Sequence, residues 1–367
     1  MVLPVSLPDS FMKILPLLWT LAAMAPAFAA TFRADSTTGG SQVVVVPAGK
    51  TVVVAPQFQP PAVAAFQVLS HSRNRESMQL NLAGSPPRDF YQAPLRNDQF
   101  SAPNLACYAL VTAGDWVGRW FPVLSNDATS LVIDVGSLVS DSRSVRNVEI
   151  RPFWTLKTLM PESVSGISFV PTTDVMAIKS RLVLSPVTTH GNEVPQQEGE
   201  AFFFSSAVGD WVAETTPGVS AASTLLPPGS YFYLQNSFIG SVPMDVVIAG
   251  TALLTPFRFE FRSSTTQNTL NYFALPRADD YRLSQIGLNE TNFTSSLDNT
   301  LAGRNDLLLV DDGFGGLGSI YYRHRGRWYL QGGALPVDPR FAAGTVFVVL
   351  RKQGAADNVV LLNQVNR

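Results

Sequence analysis

Indole rings and carboxylates are the groups in this sequence best suited to chemistry, and the tryptophans come first. Trp116 and Trp120 stand at an even spacing with Gly118 between them, so an unbroken strand would turn both rings to one face. A flat pair of this kind is a platform on which sugar rings stack, and Trp211 and Trp328 offer comparable positions further along the chain. The plainer reading is that a recurrent tryptophan anchors the core of a β-unit. Exposure of the rings separates the two.

Glycoside hydrolysis needs only two carboxylates facing each other across a groove, and Asp115, Asp174, Asp210, Glu198, Glu200, Asp279 and Asp280 are the available acids. No context distinguishes any of them. Asp115 and Asp210 each precede a tryptophan, where Arg327 stands in a third instance, so a turn-shaping role is the simpler expectation. His71, His190 and His324 lie far apart and outside any H-x-x-x-H or H-E-x-x-H spacing, which leaves no metal-ligand set. Cys107 is the single cysteine, so no internal disulfide forms, and its apolar neighbours Leu105, Ala106 and Leu110 mark it as a buried, inert thiol. No G-x-S-x-G elbow occurs. Gly313-Phe314-Gly315-Gly316-Leu317-Gly318 satisfies G-x-G-x-x-G, but Ser319 to Arg323 reads as a strand where a dinucleotide site needs a helix. A hairpin loop is expected there. Catalytic, metal and cofactor assignments are therefore none.

The elements that must position these residues are strands. Val43 to Val46, Thr51 to Val54, Leu131 to Val135, Tyr231 to Leu234, Val246 to Ala249, Leu307 to Val310 and Val346 to Leu350 are β-branched or aromatic runs bounded by turn-forming residues. Phe257 to Arg262 alternates aromatic with charged, which predicts three buried phenylalanines and one wet, charged face. Helical periodicity is nearly absent, and 26 Gly with 26 Pro punctuate the remainder. The fold class is all-β, with multiple β-sandwich or barrel-like units, an internal duplication and a few short helical turns.

The duplication is read from order. Gly209-Asp210-Trp211-Val212 leads to Pro228-Gly229-Ser230-Tyr231, and Gly326-Arg327-Trp328-Tyr329 leads, over nearly the same separation, to Ala343-Gly344-Thr345-Val346. Upstream, Trp154 to Leu159 resembles Tyr281 to Ile286, each a short helical turn. Residues 146–255 and 256–367 thus read as two copies of one unit, preceded by an N-terminal β region at 31–145 that carries a partial echo around Trp116. The Trp-to-Trp spacings far exceed the roughly 20–50-residue period of solenoids and propellers.

At the start of the chain, Lys13 precedes the apolar run Ile14 to Met24 and Ala27-Phe28-Ala29 follows, the order of a cleaved secretory signal over 1–30. The lack of a basic residue before Met12 points to a functional start at Met12. The run falls short of the roughly 20 residues needed to cross a bilayer, so no transmembrane span is expected after cleavage. Hydrophobic residues make up 46% of the chain, enough for real cores. With 15% charged residues and a net charge of -2, nucleic acid is not an expected partner.

The stretch from Cys107 to Leu159 resembles the pattern of an uncharacterised family of exported bacterial β-proteins. The matching elements are Tyr108 to Gly114, Gly118-Arg119-Trp120-Phe121-Pro122-Val123-Leu124-Ser125-Asn126-Asp127, Leu131 to Val135, and Arg151-Pro152-Phe153-Trp154-Thr155-Leu156, the last being the most specific mark. The likeness continues more weakly through Thr173-Asp174-Val175 and Arg304-Asn305-Asp306-Leu307. It implies export and β-architecture and brings no known activity.

Together these readings predict a secreted, periplasmic or cell-surface β-protein that is not an enzyme, with a structural or binding role and polysaccharide or surface proteins as partners. The alternative is a carbohydrate-binding or carbohydrate-processing protein using Trp116, Trp120, Trp211 and Trp328. An outer-membrane barrel is disfavoured, because the short, irregularly spaced strands lack the regular segments of about 10 residues such barrels need.

Overall fold

The computed structural model describes residues 32–33, 39–83, 106–127, 129–136, 144–160, 169–184, 199–237, 243–298, 303–312, 317–354 and 359–363. The signal segment, His190, Glu198 and Gly313 to Gly316 lie outside the described residues. Five of the seven strand runs expected from composition fall inside observed strands, the other two overrun theirs by one residue, Val135 beyond Ser130–Asp134 and Tyr231 ahead of Phe232–Asn236, and the fold is all-β. Among the described residues the α-helix is a single turn, Leu156–Leu159, and two 3-10 turns occur at Val175–Ala177 and Leu283–Gln285. The Leu156–Leu159 turn has a capping box, in which Thr155 Oγ1 accepts from the Thr158 amide at 3.1 Å and Thr158 Oγ1 accepts from the Thr155 amide at 2.9 Å.

Six antiparallel strands close into a barrel: Ala64–Asn74, Ser77–Leu82, Cys107–Gly114, Trp120–Asn126, Ser130–Asp134 and Val145–Pro152. Register shifts at Val68/Ser70, Val123/Ser125 and Val145/Asn147 mark irregularities of the bulge type, which bend strands enough for closure. Closure leaves no sheet edge. Met78, Leu80, Val111, Trp116, Phe121, Leu131, Ile133 and Ile150 fill the lumen, so it is a core and not a channel.

Two sandwiches flank the barrel. In the first, the sheet ordered Asp210–Ala213, Ala201–Ser205, Ser180–Leu184, Phe232–Asn236, Lys50–Val54 faces a smaller sheet in which Gly39–Val46 pairs with Met244–Ala252. Val44, Val46, Phe232, Leu234 and Ile248 meet between them. In the second, the sheet ordered Arg327–Leu330, Leu317–His324, Leu307–Asp311, Val346–Arg351, Thr269–Ala274 faces Phe257–Phe261, which pairs with Val359–Asn363. Phe257, Phe259, Phe261, Phe273 and Phe347 form the centre of that core.

Strand pairing runs across the sequence divide between 31–145 and 146–255. Gly39–Val46 and Lys50–Val54 belong with strands after residue 154, and the barrel occupies the chain between them. Hydrophobic alternation predicts that a strand buries one face, but not which distant strand lies beside it.

One expectation is overturned. The charged face of Phe257–Phe261 is not wet: Arg258 and Glu260 are buried together with the phenylalanines. The barrel turn ahead of Trp120 covers them. The Arg258 amide donates to Gly118 O at 2.9 Å, the Arg258 guanidinium donates to Asp115 O at 3.1 Å, and Arg119 forms an ion pair with Glu260.

Candidate functional site

The four tryptophans do not come together. Trp116, 0% exposed, lies in the barrel lumen with its ring 5.3 Å from that of Phe121. Trp120, 2% exposed, points the other way, onto Tyr108 and Phe153 in the core shared with the second sandwich. The turn between Gly114 and Trp120 interrupts the strand and breaks the two-residue alternation that would have put the rings on one face. Trp211, 1% exposed, packs edge-on against Phe169 and donates its indole N–H to Met160 O at 3.2 Å. Trp328, 7% exposed, meets Phe293 on one side and the Arg323 guanidinium, 5.6 Å from the ring centroid, on another. These are core positions in three separate clusters, and none offers a ring face to a sugar.

The six candidate acids among the described residues each have a local task. Asp115 accepts from the amide and hydroxyl of Ser144 at 2.8 and 3.0 Å, and Asp210 accepts from Ser220 Oγ at 3.0 Å. Asp174 caps the 3-10 turn through the Met176 amide at 2.8 Å. Glu200 accepts from Thr215 Oγ1, Asp279 pairs with Arg277 at 2.7 Å, and Asp280 with Arg340 at 3.3 Å. Fastening loops is what short acidic side chains do beside turns.

His324 places Nδ1 3.0 Å from Ser296 O and sets its ring edge-on to Tyr329, while His71 sits opposite Leu80 on the barrel. Among the described residues no group of three or more His, Cys, Asp or Glu is placed to hold a metal ion. Cys107 is buried, and burial pushes its thiol from 9.0 up to about 12, so the nucleophilic thiolate is not formed near neutral pH. The strands flanking the G-x-G-x-x-G segment pair antiparallel, Asp311 opposite Leu317, so the chain passes from strand to strand and not from strand to helix.

What the structure does assemble is a joint. Arg119 reaches from the barrel to Glu260 on the second sandwich, with its guanidinium 5.7 Å from the Phe121 ring and 6.0 Å from that of Trp116. Tyr108, Trp120 and Phe153 on the outer wall of the barrel close the apolar side. Burial holds the Tyr108 hydroxyl well above its ordinary range, in keeping with a dry contact. The first sandwich is tied to the barrel by Arg151, which donates to Pro60 O at 3.0 Å, to Thr251 Oγ1 at 3.1 Å and to Glu149. Arg151 to Leu156 is thus where the chain leaves the barrel: Trp154 donates to Phe58 O at 3.1 Å and Leu156 enters the sandwich core. The charged residues of Phe257–Phe261 were the one sequence signal for this joint.

Compared with known proteins, the chain matches no family model, no curated protein and no solved structure.

Proposed function

We propose that this is an exported, non-enzymatic β-protein with a structural or binding role in the periplasm or at the cell surface, akin to the exported β-family its Cys107 to Leu159 stretch resembles. The carrying observation is that the indoles and described carboxylates best suited to chemistry are engaged in packing and loop fastening. A barrel joined to one sandwich by the buried Arg119–Glu260 ion pair and to the other by the Arg151 hydrogen bonds makes a unit that presents surfaces, which is what a scaffold or adaptor requires.

The two sandwiches are further proposed to be copies of one unit, supported by their matching strand order. The first copy then starts near residue 39 and carries the barrel as an insertion.

A carbohydrate role built on Trp116, Trp120, Trp211 and Trp328 would need these buried rings to be uncovered. A glycan and polymer binding screen on the protein beginning near Ala30, followed by Trp-to-Phe variants, tests the choice. The scaffold reading expects the variants to lower stability and leave any polymer binding unchanged. Selective loss of glycan binding with the fold intact would overturn it in favour of the platform.

A further inference from the structure

The contact between the two sandwiches uses the same surface twice. In each, a left-handed glycine follows the tryptophan hairpin and leads into the fourth strand of the large sheet: Gly229 at φ 81 before Phe232–Asn236, and Gly344 at φ 79 before Val346–Arg351. A β-carbon on Gly229 would lie 2.8 and 3.1 Å from the rings of Phe259 and Phe257, in the second sandwich. One on Gly344 would lie 2.9 and 3.5 Å from the amide nitrogens of Gln57 and Gln42, in the first. Phe257 and Gln42 stand on matching strands, Phe257–Phe261 and Gly39–Val46, each paired with the last strand of its own sandwich. The approach is therefore reciprocal.

The small apolar cluster beside the glycines repeats the relation. Val54 pairs with Phe232, three residues after Gly229, and Phe273 pairs with Phe347, three residues after Gly344. That register makes Ala55 the counterpart of Ala274, Tyr231 of Val346 and Val53 of Tyr272. All six meet in one cluster, where Tyr231 stacks on Tyr272 with centroids 5.9 Å apart. Residue i touching j while the counterpart of j touches the counterpart of i is the signature of an isologous, two-fold interface.

We propose that the two sandwiches form a pseudo-two-fold dimer within one chain, and that the face each presents at this joint recognises a second copy of the same unit. In the intact chain each face satisfies the other, which closes the association and holds the protein as a monomer. A chain in which one face is spoiled keeps the other intact and bare, and its partner is the same bare face of a second chain. The inference needs the two sandwiches to be copies, but not the export or scaffold reading.

The test uses the full chain and its molar mass by light scattering. Ala55→Glu places a charge on the first face at a 2% exposed position, and Ala274→Glu does so on the second at a 1% exposed position. Each single variant is expected to double in mass, and the double variant to be a monomer with an enlarged radius of gyration. Gly229→Leu and Gly344→Leu, which act through the Gly contacts, supply the same comparison if the alanine variants do not fold, as judged by circular dichroism. Single variants that remain monomeric, compact or opened, would overturn the proposal.

Discussion

Arg119 and Glu260 are side chains 8% and 10% exposed, carried by parts of the chain with no local relation. Removing one partner strands a buried charge, so Arg119→Met is expected to destabilise the protein by about 3 kcal/mol, while Arg119→Met with Glu260→Met recovers most of that loss. Denaturant unfolding of the single and double variants measures it. Cys107 makes a second expectation. Its thiol is raised from 9.0 to about 12 by burial, so the stability linked to the neutral thiol is complete below pH 9 and is lost as pH climbs through that window. Unfolding free energy should fall between pH 9 and 10 in the native sequence and fall less in Cys107→Ala. An equal slope in both would assign the fall to other groups. At this scale the sequence was informative about type and poor about surroundings. The apolar neighbours of Cys107 announced its burial, whereas Arg258 and Glu260 read as wet because the turn that covers them is far away in the chain.

At the level of elements, β-branched and aromatic runs declared the strands, since their side chains fit a half-buried pleated surface. The helical turns at Leu156 and Leu283 were legible in their spaced apolar residues. The turn before Trp120 was not. It sends Trp116 into the lumen and Trp120 outside, because Gly118 adopts φ 81 and lies against the backbone of the second sandwich. A β-carbon there would sit 2.8 Å from Pro256 O and 3.1 Å from Arg258 N, both backbone atoms that cannot swing aside. Gly118→Ala is therefore expected to cost about 1–3 kcal/mol and to loosen the barrel from Phe257–Phe261. Hydrogen exchange at the Arg258 amide, which donates to Gly118 O, checks this directly: faster exchange is expected, and unchanged protection would place the turn elsewhere.

For the whole molecule, the order of motifs along the chain suggests two alike units, and the strands of the two large sheets follow the same order along the chain. What the sequence concealed was the interruption. Strands before residue 55 join a sandwich whose other strands come after residue 154, across a complete barrel. Local patterning carries no signal for a pairing between such distant segments. The barrel buries apolar side chains inside, the reverse of a lipid-facing barrel with its polar lumen. Whether the protein is exported is settled by expressing the full sequence in a bacterial host, fractionating without detergent and sequencing the N-terminus of the recovered protein. An exported protein is expected as a chain beginning near residue 30 in the periplasmic, surface or culture fraction. An uncleaved chain retained in the cytoplasm would contradict export.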